Sequence, residues 1–414
     1  MSETLPSRPY AALQIPDFRL YISARFCTTL AIQIQSVVVA WQVYELTKDP
    51  LSLGLIGLAE AIPSIGVSLY AGHVADVVQR KKIILVCIST LLFCSATLLL
   101  FTIQPAGFFS SHGVFPIYTV IFVSGIARGF LSPAFFSFMP QLVPRDLYAN
   151  AITWNSALWE TATIAGLAVG GLLYGILGIT FAYTIDVTLT LLGLILIIGV
   201  SNKPLPPATD EEGVVEKIKA GLRFVFQNKT ILSAISLDLF AVLFGGAVAL
   251  LPIFADEVLH VGKVGLGFLR AAPSVGALLM AFYITHYPIQ KNTGKILLYC
   301  VAGFGVCMIF FALSTNFWLS LFLLIISGGF DCISVIIRMT LLQTLTPENM
   351  KGRVSAVNHI FVGSSNEIGM FESGVTAKLI GTVPSVIIGG CMTILVVGVT
   401  GFVSRSLRTL QRLH

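Results

Sequence analysis

Residues 83–103 read IILVCISTLLFCSATLLLFTI, a run of 21 positions without a charged side chain. A bilayer-spanning helix needs about 20 mostly apolar residues, so this run alone is long enough to cross a membrane. Working outward from it, further apolar runs centre on 20–44, 51–71, 114–136, 150–176, 179–200, 231–255, 264–285, 296–314, 317–345, 354–377 and 384–403. The sequence therefore predicts an all-α membrane protein with twelve transmembrane helices. Composition agrees with this. Only 11% of the 414 residues are charged, against about 25% in soluble domains, and mean hydropathy is +0.89. Glycine and proline inside the runs are compatible with lipid-embedded helices, whose neighbours satisfy the freed backbone groups. Residues 1–17 have no apolar core and no small-residue cleavage site, so no cleavable signal peptide is expected.

Lysine and arginine set the orientation, because they are retained on the cytoplasmic side. With the N-terminus inside, 18 of the 25 fall in cytoplasmic segments, Lys48, Lys263 and Lys378 fall outside, and Arg25, Arg128, Arg270 and Arg338 lie within spans. Both termini are thus expected in the cytoplasm, in a bacterial inner membrane. The net charge of +5 is this retention signal and implies no nucleic-acid partner. The seven cysteines all lie in apolar runs, and none forms a CxxC or pairs with a histidine at ligand spacing; they read as small buried hydrophobes. No metal or cofactor is expected. The chain lacks a phosphate-binding GxxxxGK loop, an HExxH and a GxSxG, so neither an ATP motor nor hydrolytic enzyme chemistry is indicated.

The longest polar stretch between runs is 201–230, opening Asn202-Lys-Pro-Leu-Pro-Pro207 and containing an amphipathic segment over Val214–Phe226. That segment predicts a helix lying at the cytoplasmic surface. Asn228-Lys-Thr230 fits a glycosylation sequon, but its place in this linker makes the match coincidental. The expected organisation is a six-helix half over 1–200, a linker over 201–230 and a second six-helix half over 231–414. The halves repeat. At an offset of 203, Gly125, Pro144, Asn155, Gly166, Gly171 and Gly178 coincide with Gly328, Pro347, Asn358, Gly369, Gly374 and Gly381. At an offset of 210, Gly57, Pro63, Ser64 and Gly66 coincide with Gly267, Pro273, Ser274 and Gly276. Parallel repeats of six helices are one plan for alternating-access carriers, with the substrate held near the midplane.

The segment after the second run carries Gly72, Ala75, Asp76, Arg80 and Lys81, and resembles the GxLaDrxGrk signature of the major facilitator superfamily. Gly166-Leu-Ala-Val-Gly170-Gly171 is similar to the GPxxGG antiporter motif, with Leu167 in place of proline. Segments around Phe18–Phe26 and Thr346–Val354 resemble the drug:proton antiporter-3 group, which contains enterobactin exporters and macrolide efflux proteins. The resemblance covers nearly the whole chain. It implies a major facilitator fold, proton-coupled antiport, efflux of a siderophore or a drug-like molecule, and a role for Asp76 in latching the halves on the cytoplasmic side. Gln79 stands at the loop glycine and Val77 at the usual basic position, and the second half has no copy of the motif. Asp76 and Arg80 are one helical turn apart, a spacing that permits pairing, while the basic cluster Arg80-Lys81-Lys82 also serves simply to hold the loop inside.

Ionisable groups within spans are costly and mark function by default. Counting depth at 1.5 Å per residue, Arg128 and Asp331 fall near mid-span and are equivalents at the 203 offset; Glu60 and Arg270 are equivalents at 210. Glu160 matches Arg270 in depth and is expected to pair with it, which leaves Glu60 as the carboxylate with no assigned cation and the first choice for carrying a proton, ahead of Asp331. A static ion pair is the plain alternative for each. Asp238 and Arg338 are expected to neutralise each other, Arg25 to snorkel at the inner end of its span, and Asp186 to sit near the start of its span, where a carboxylate suits a helix N-terminus. Glu367 and Glu372, five apart, cannot form one facing dyad. Phe135, Phe136, Phe138, Trp154, Trp159, Phe240 and Phe244 could together line an aromatic pocket, favouring a bulky or amphipathic cargo over a sugar. The expected partners are a small-molecule substrate, protons as coupling ion and the lipid bilayer, with the protein a monomer.

Overall fold

A computed structural model describes residues 10–103, 113–204, 214–287, 291–347, 350–408 and 410. Thirteen long helices account for most of them. These are α1 (Pro16–Thr47), α2 (Pro50–Val77), α3 (Arg80–Ile103), α4 (Phe115–Phe138), α5 (Tyr148–Leu177), α6 (Ile179–Gly199), α7 (Val214–Gln227), α8 (Lys229–Gly245), α9 (Gly262–His286), α10 (Thr293–Leu313), α11 (Phe317–Leu345), α12 (Lys351–Ile380) and α13 (Thr382–Val403). Eleven helical stretches among the described residues are long and apolar enough to cross a membrane. The twelfth expected run lies in α12, whose 30 residues suffice in length but include Glu367, Glu372 and Lys378. Its polarity, not its span, sets it apart.

Local chemistry explains the boundaries. Pro16 and Pro50 open α1 and α2, where a missing N–H costs nothing. Asn228 starts α8 by accepting from the amides of Thr230 and Ile231 at 3.2 Å, which gives the sequon asparagine a capping role. The expected run 231–255 is not one helix. After Gly245-Gly246 the chain passes through short turns to a π-helical turn over Phe254–Val258, because two glycines remove the side-chain packing that holds a helix straight.

The chain divides into two compact units. The first comprises 1–38 and 62–210, the second 39–61 and 211–414. In the first, α3 packs on α4 and α6 around Phe18, Tyr21, Ile84, Ile88, Ala134 and Phe138. In the second, α9 packs on α11 and α10 on α11 and α13. The amphipathic α7 lies on α8 and α12, burying Val225 with Ile231, Ile235 and Val354.

The repeat is written in the backbone. Gly178 ends α5 with φ +86° and Gly381 ends α12 with φ +96°, and each leads straight into the next helix. Both need a left-handed conformation that glycine adopts without a Cβ clash. A Cβ on Gly166 would meet Gln33 and Leu30 of α1, and one on Gly369 would meet Leu243 and Val242 of α8. Equivalent glycines thus bring the fifth spanning helix of each half against its first.

Candidate functional site

In the first unit a buried polar network joins four helices. Arg128 of α4 donates from Nη2 to Gln35 Oε1 of α1 at 3.2 Å. Gln35 Nε2 in turn donates to Asp186 Oδ2 of α6 and Ser95 Oγ of α3, both at 3.3 Å. Asp186 is within Coulombic reach of Arg128, and Gln35, Ser95 and Asp186 are all buried. Asp186 is therefore no helix-end carboxylate. It lies two turns inside α6, and it answers the charge of Arg128 through one amide. Neither Gln35 nor Ser95 stands out in the sequence, because an uncharged polar residue in an apolar run carries no signal of its own; the only cue is the need of a half-buried Arg128 for partners.

Arg25 does not snorkel. Its Nη1 donates to Asn155 Oδ1 of α5 at 2.7 Å, and its guanidinium stands 5.7 Å from the centre of the Phe135 ring. Glu160, half-buried on α5, has no hydrogen bond or ion pair with any described residue. Within the second unit, the carboxylates within Coulombic reach of Arg270 are Glu60 of α2 and Glu367 of α12. Glu60 is accordingly not isolated from positive charge. Depth along a helix gives a residue's height but not its direction around the axis, and direction chose these partners.

The second unit holds the expected Asp238–Arg338 ion pair, buried between α8 and α11. Beside it, α8, α10 and α11 border a small, partly open hollow lined by Asp238, Cys300, Phe304, Phe330, Asp331 and Ser334. Asp331 sits at the middle of α11 and is exposed where Gly328 and Gly329 before it are buried. It borders open space rather than packed protein, and it makes no hydrogen bond or ion pair with a described residue. One turn on, Ser334 is 3% exposed and its Oγ has no hydrogen-bond partner among the described residues.

At one end of the second unit, the three lysines expected outside all find carboxylates. Lys48 pairs with Asp256 at 2.7 Å, Lys263 with Glu45 at 2.9 Å and Lys378 with Asp49 at 3.1 Å. The Tyr44 hydroxyl donates to Glu257 Oε1 at 2.7 Å and lies 3.0 Å from Asp256 Oδ2. Gly54 of α2 approaches the backbone of Gly374 of α12 closely enough that a Cβ would lie 3.1 Å from its Cα.

The gate motif lies differently from a simple loop. Gly72 and Asp76 belong to the last turns of α2, with side chains outside the described residues, and Arg80 begins α3. Val78 and Gln79 interrupt the helix between Asp76 and Arg80, so the two do not share one helical turn. Lys81 donates to the carbonyls of Ile198 at 3.0 Å and Val200 at 2.5 Å, a cation on the carbonyl end of α6. In the antiporter-like motif, Gly166 and Gly170 let α5 approach α1, and Gly171 is buried. Each unit pairs its aromatic residues locally. Phe135 and Phe138 pack on Tyr21, Trp154 on Tyr10, and Phe240 on Phe244, while Phe136 and Trp159 are exposed.

Comparison with known proteins places this architecture. The family model described as transmembrane secretion effector matches residues 7–412. The enterobactin exporter EntS of Shigella dysenteriae serotype 1 (strain Sd197) is 26% identical over 349 residues, 83% of this chain and 80% of that protein. EntS of Escherichia coli O1:K1 / APEC is 25% identical over the same coverage. Among solved structures, a mutant of the nucleoside transporter NupG superposes with a TM-score of 0.72 at 12% identity, covering 93% of this chain and 98% of that one. The xylose transporter XylE of E. coli gives 0.67 at 13% identity, covering 96% of each. At such identities the superpositions speak for the fold, two six-helix halves, and the family match speaks for membership. This multi-pass membrane protein is a transporter and not an enzyme, and it belongs to the transmembrane secretion effector family of the major facilitator superfamily.

Proposed function

We propose that the protein is a proton-coupled exporter of a siderophore or an amphipathic drug-like molecule, monomeric in a bacterial cytoplasmic membrane with both termini in the cytoplasm, and that Asp331 carries the coupling proton. The lysine and arginine distribution supports the orientation, and relatives named as enterobactin exporters support the direction and class of cargo. The observation that carries the coupling is Asp331 itself, a mid-helix carboxylate on a cavity wall with no partner among the described residues. A carboxylate so placed has no fixed cation to keep it ionised, so its charge can alternate with cargo occupancy. Glu60 passes to second place because Arg270 compensates it.

The test uses proteoliposomes loaded in turn with a catecholate siderophore and a macrolide. Wild type should expel cargo when a pH gradient is imposed and stop when a protonophore is added. Asp331→Asn should lose gradient-driven efflux while still exchanging labelled for unlabelled cargo, and Glu60→Gln should keep part of the gradient response. Efflux by Asp331→Asn that still follows the gradient would remove Asp331 from the mechanism. Transport indifferent to the gradient in wild type would favour a uniporter or importer.

A further inference from the structure

The hollow between α8, α10 and α11 is small, with room for about one water. The side chains of Asp238, Asp331 and Ser334 bring oxygen atoms to its wall, and the rest of the lining is apolar or aromatic apart from the Cys300 thiol. All of it lies within the second unit.

Serine and threonine inside a helix commonly return their hydroxyl to a carbonyl one turn back. Helix α11 carries five hydroxyl side chains, and four are satisfied in this way or by another hydroxyl. Ser327 donates to the Leu324 carbonyl at 2.8 Å, Thr340 to that of Ile336 at 2.8 Å and Thr344 to that of Thr340 at 2.9 Å, while Ser320 donates to Ser314 Oγ at 3.0 Å. Ser334 does neither. It is 3% exposed, its Oγ has no hydrogen-bond partner among the described residues, and it lines the hollow. Asp331 stands one turn before it on α11 and makes no hydrogen bond or ion pair with a described residue. Asp238 of α8 is paired with Arg338, but a carboxylate has about four lone-pair sites and can still accept.

A buried hydroxyl without a partner is unfavourable. A polar recess of this size suits an ordered water, which takes about two to four polar partners. Here it would accept from the Ser334 hydroxyl and donate its two hydrogens to the Asp331 and Asp238 carboxylates. A hard metal cation would need about six oxygen ligands or more, which the wall does not offer.

We infer that the hollow is a single-water site, that Ser334 is the residue that positions the water, and that Asp331 exchanges its proton through it. The exchange balances: the water gives one proton to Asp331, takes one from the open side of the hollow, and is restored. The inference rests on the proposed function for the role of Asp331 and adds a positioning residue to it; the water itself is tested without transport.

Full-length protein in lipid nanodiscs is given a synchrotron X-ray pulse, which splits ordered water into hydroxyl radicals that modify the side chains beside it, and mass spectrometry reads the products. Cys300 and Cys307 of α10 are equally buried, at 5% and 6% exposed, but Cys307 is not part of the lining. Cys300 should be modified several-fold faster than Cys307. Ser334→Thr and Ser334→Val have one shape and differ in the hydroxyl, so their packing effects are shared. The Cys300 excess should survive in Ser334→Thr and disappear in Ser334→Val, and gradient-driven efflux from proteoliposomes should be several-fold slower in Ser334→Val than in Ser334→Thr. Should Ser334→Val fail to fold, Ser334→Ala, which also lacks the hydroxyl, takes its place. Equal modification of Cys300 and Cys307 in wild type, or equal Cys300 rates in the two variants, would overturn the water site. Equal efflux by the two variants, with the excess lost in Ser334→Val, would overturn its part in proton exchange. Wild-type efflux indifferent to the gradient, with the Cys300 excess present, would remove the proton reading of Asp331 and keep the water site.

Discussion

At the scale of single residues, the two units handle intramembrane charge in contrasting ways. In the first, Gln35 stands between Arg128 and Asp186, accepting from one and donating to the other. Gln35→Leu keeps the volume but removes the bridge, leaving buried polar groups unsatisfied at a cost of about 1–3 kcal/mol, more where they are charged. A lower thermal midpoint in detergent is the expected result, and an unchanged midpoint would mean that the network contributes nothing to stability. In the second unit, Arg338 and Asp238 are a desolvated pair. Arg338→Met alone should destabilise by about 3–5 kcal/mol by stranding a buried charge, whereas Arg338→Met with Asp238→Leu should regain most of that. Thermal midpoints of the singles and the double form the cycle that checks this. The Asp238–Arg338 pair was legible in the sequence because two opposite charges at one depth have few other options. The Arg128–Gln35–Asp186 network was not, because its central member is neutral.

At the scale of the element, the repeat-equivalent glycines carry the clearest prediction. Gly178 has no atom within 4 Å of a notional Cβ, and the nearest to Gly381 is Pro384 at 3.6 Å, so both have room for a methyl group. What forbids one is φ. Alanine at either position should cost about 1–2 kcal/mol through the left-handed backbone alone, with similar drops in thermal midpoint for Gly178→Ala and Gly381→Ala. Gly166→Ala should fail for a different reason, since its Cβ would lie 2.6 Å from that of Gln33. The sequence repeat predicted that these glycines mattered, but only the backbone separates a conformational requirement from a packing one. The same limit appears at α8. Hydropathy read 231–255 as one run, yet the chain leaves the helix at Gly245-Gly246 and ends in a π-helical turn bearing Asp256 and Glu257. Apolar composition records that a segment is in lipid, not whether its helix is unbroken.

For the whole molecule, membership in the major facilitator superfamily makes alternating access the operating cycle to test. Single cysteines placed along α4 and α11, the helices bearing Arg128 and Asp331, should be labelled from one side of the membrane without cargo and from the other when a saturating cargo and a pH gradient are applied. Labelling fixed to one side under both conditions would argue for a static pore or a scaffold. The sequence by itself determined the solvent, the membrane-crossing runs, the duplication and the family, because each depends on quantities that accumulate along the chain: apolar run length, glycine register, the side on which lysine and arginine collect. Asp238 and Arg338 apart, the tertiary structure decided which charges meet: that Glu60 and Glu367 lie within reach of Arg270, that Asp186 answers Arg128, and that Asp331 is left beside open space. Pairing depends on the rotation of each helix about its axis, and that angle is fixed by the packing of neighbours far away in sequence.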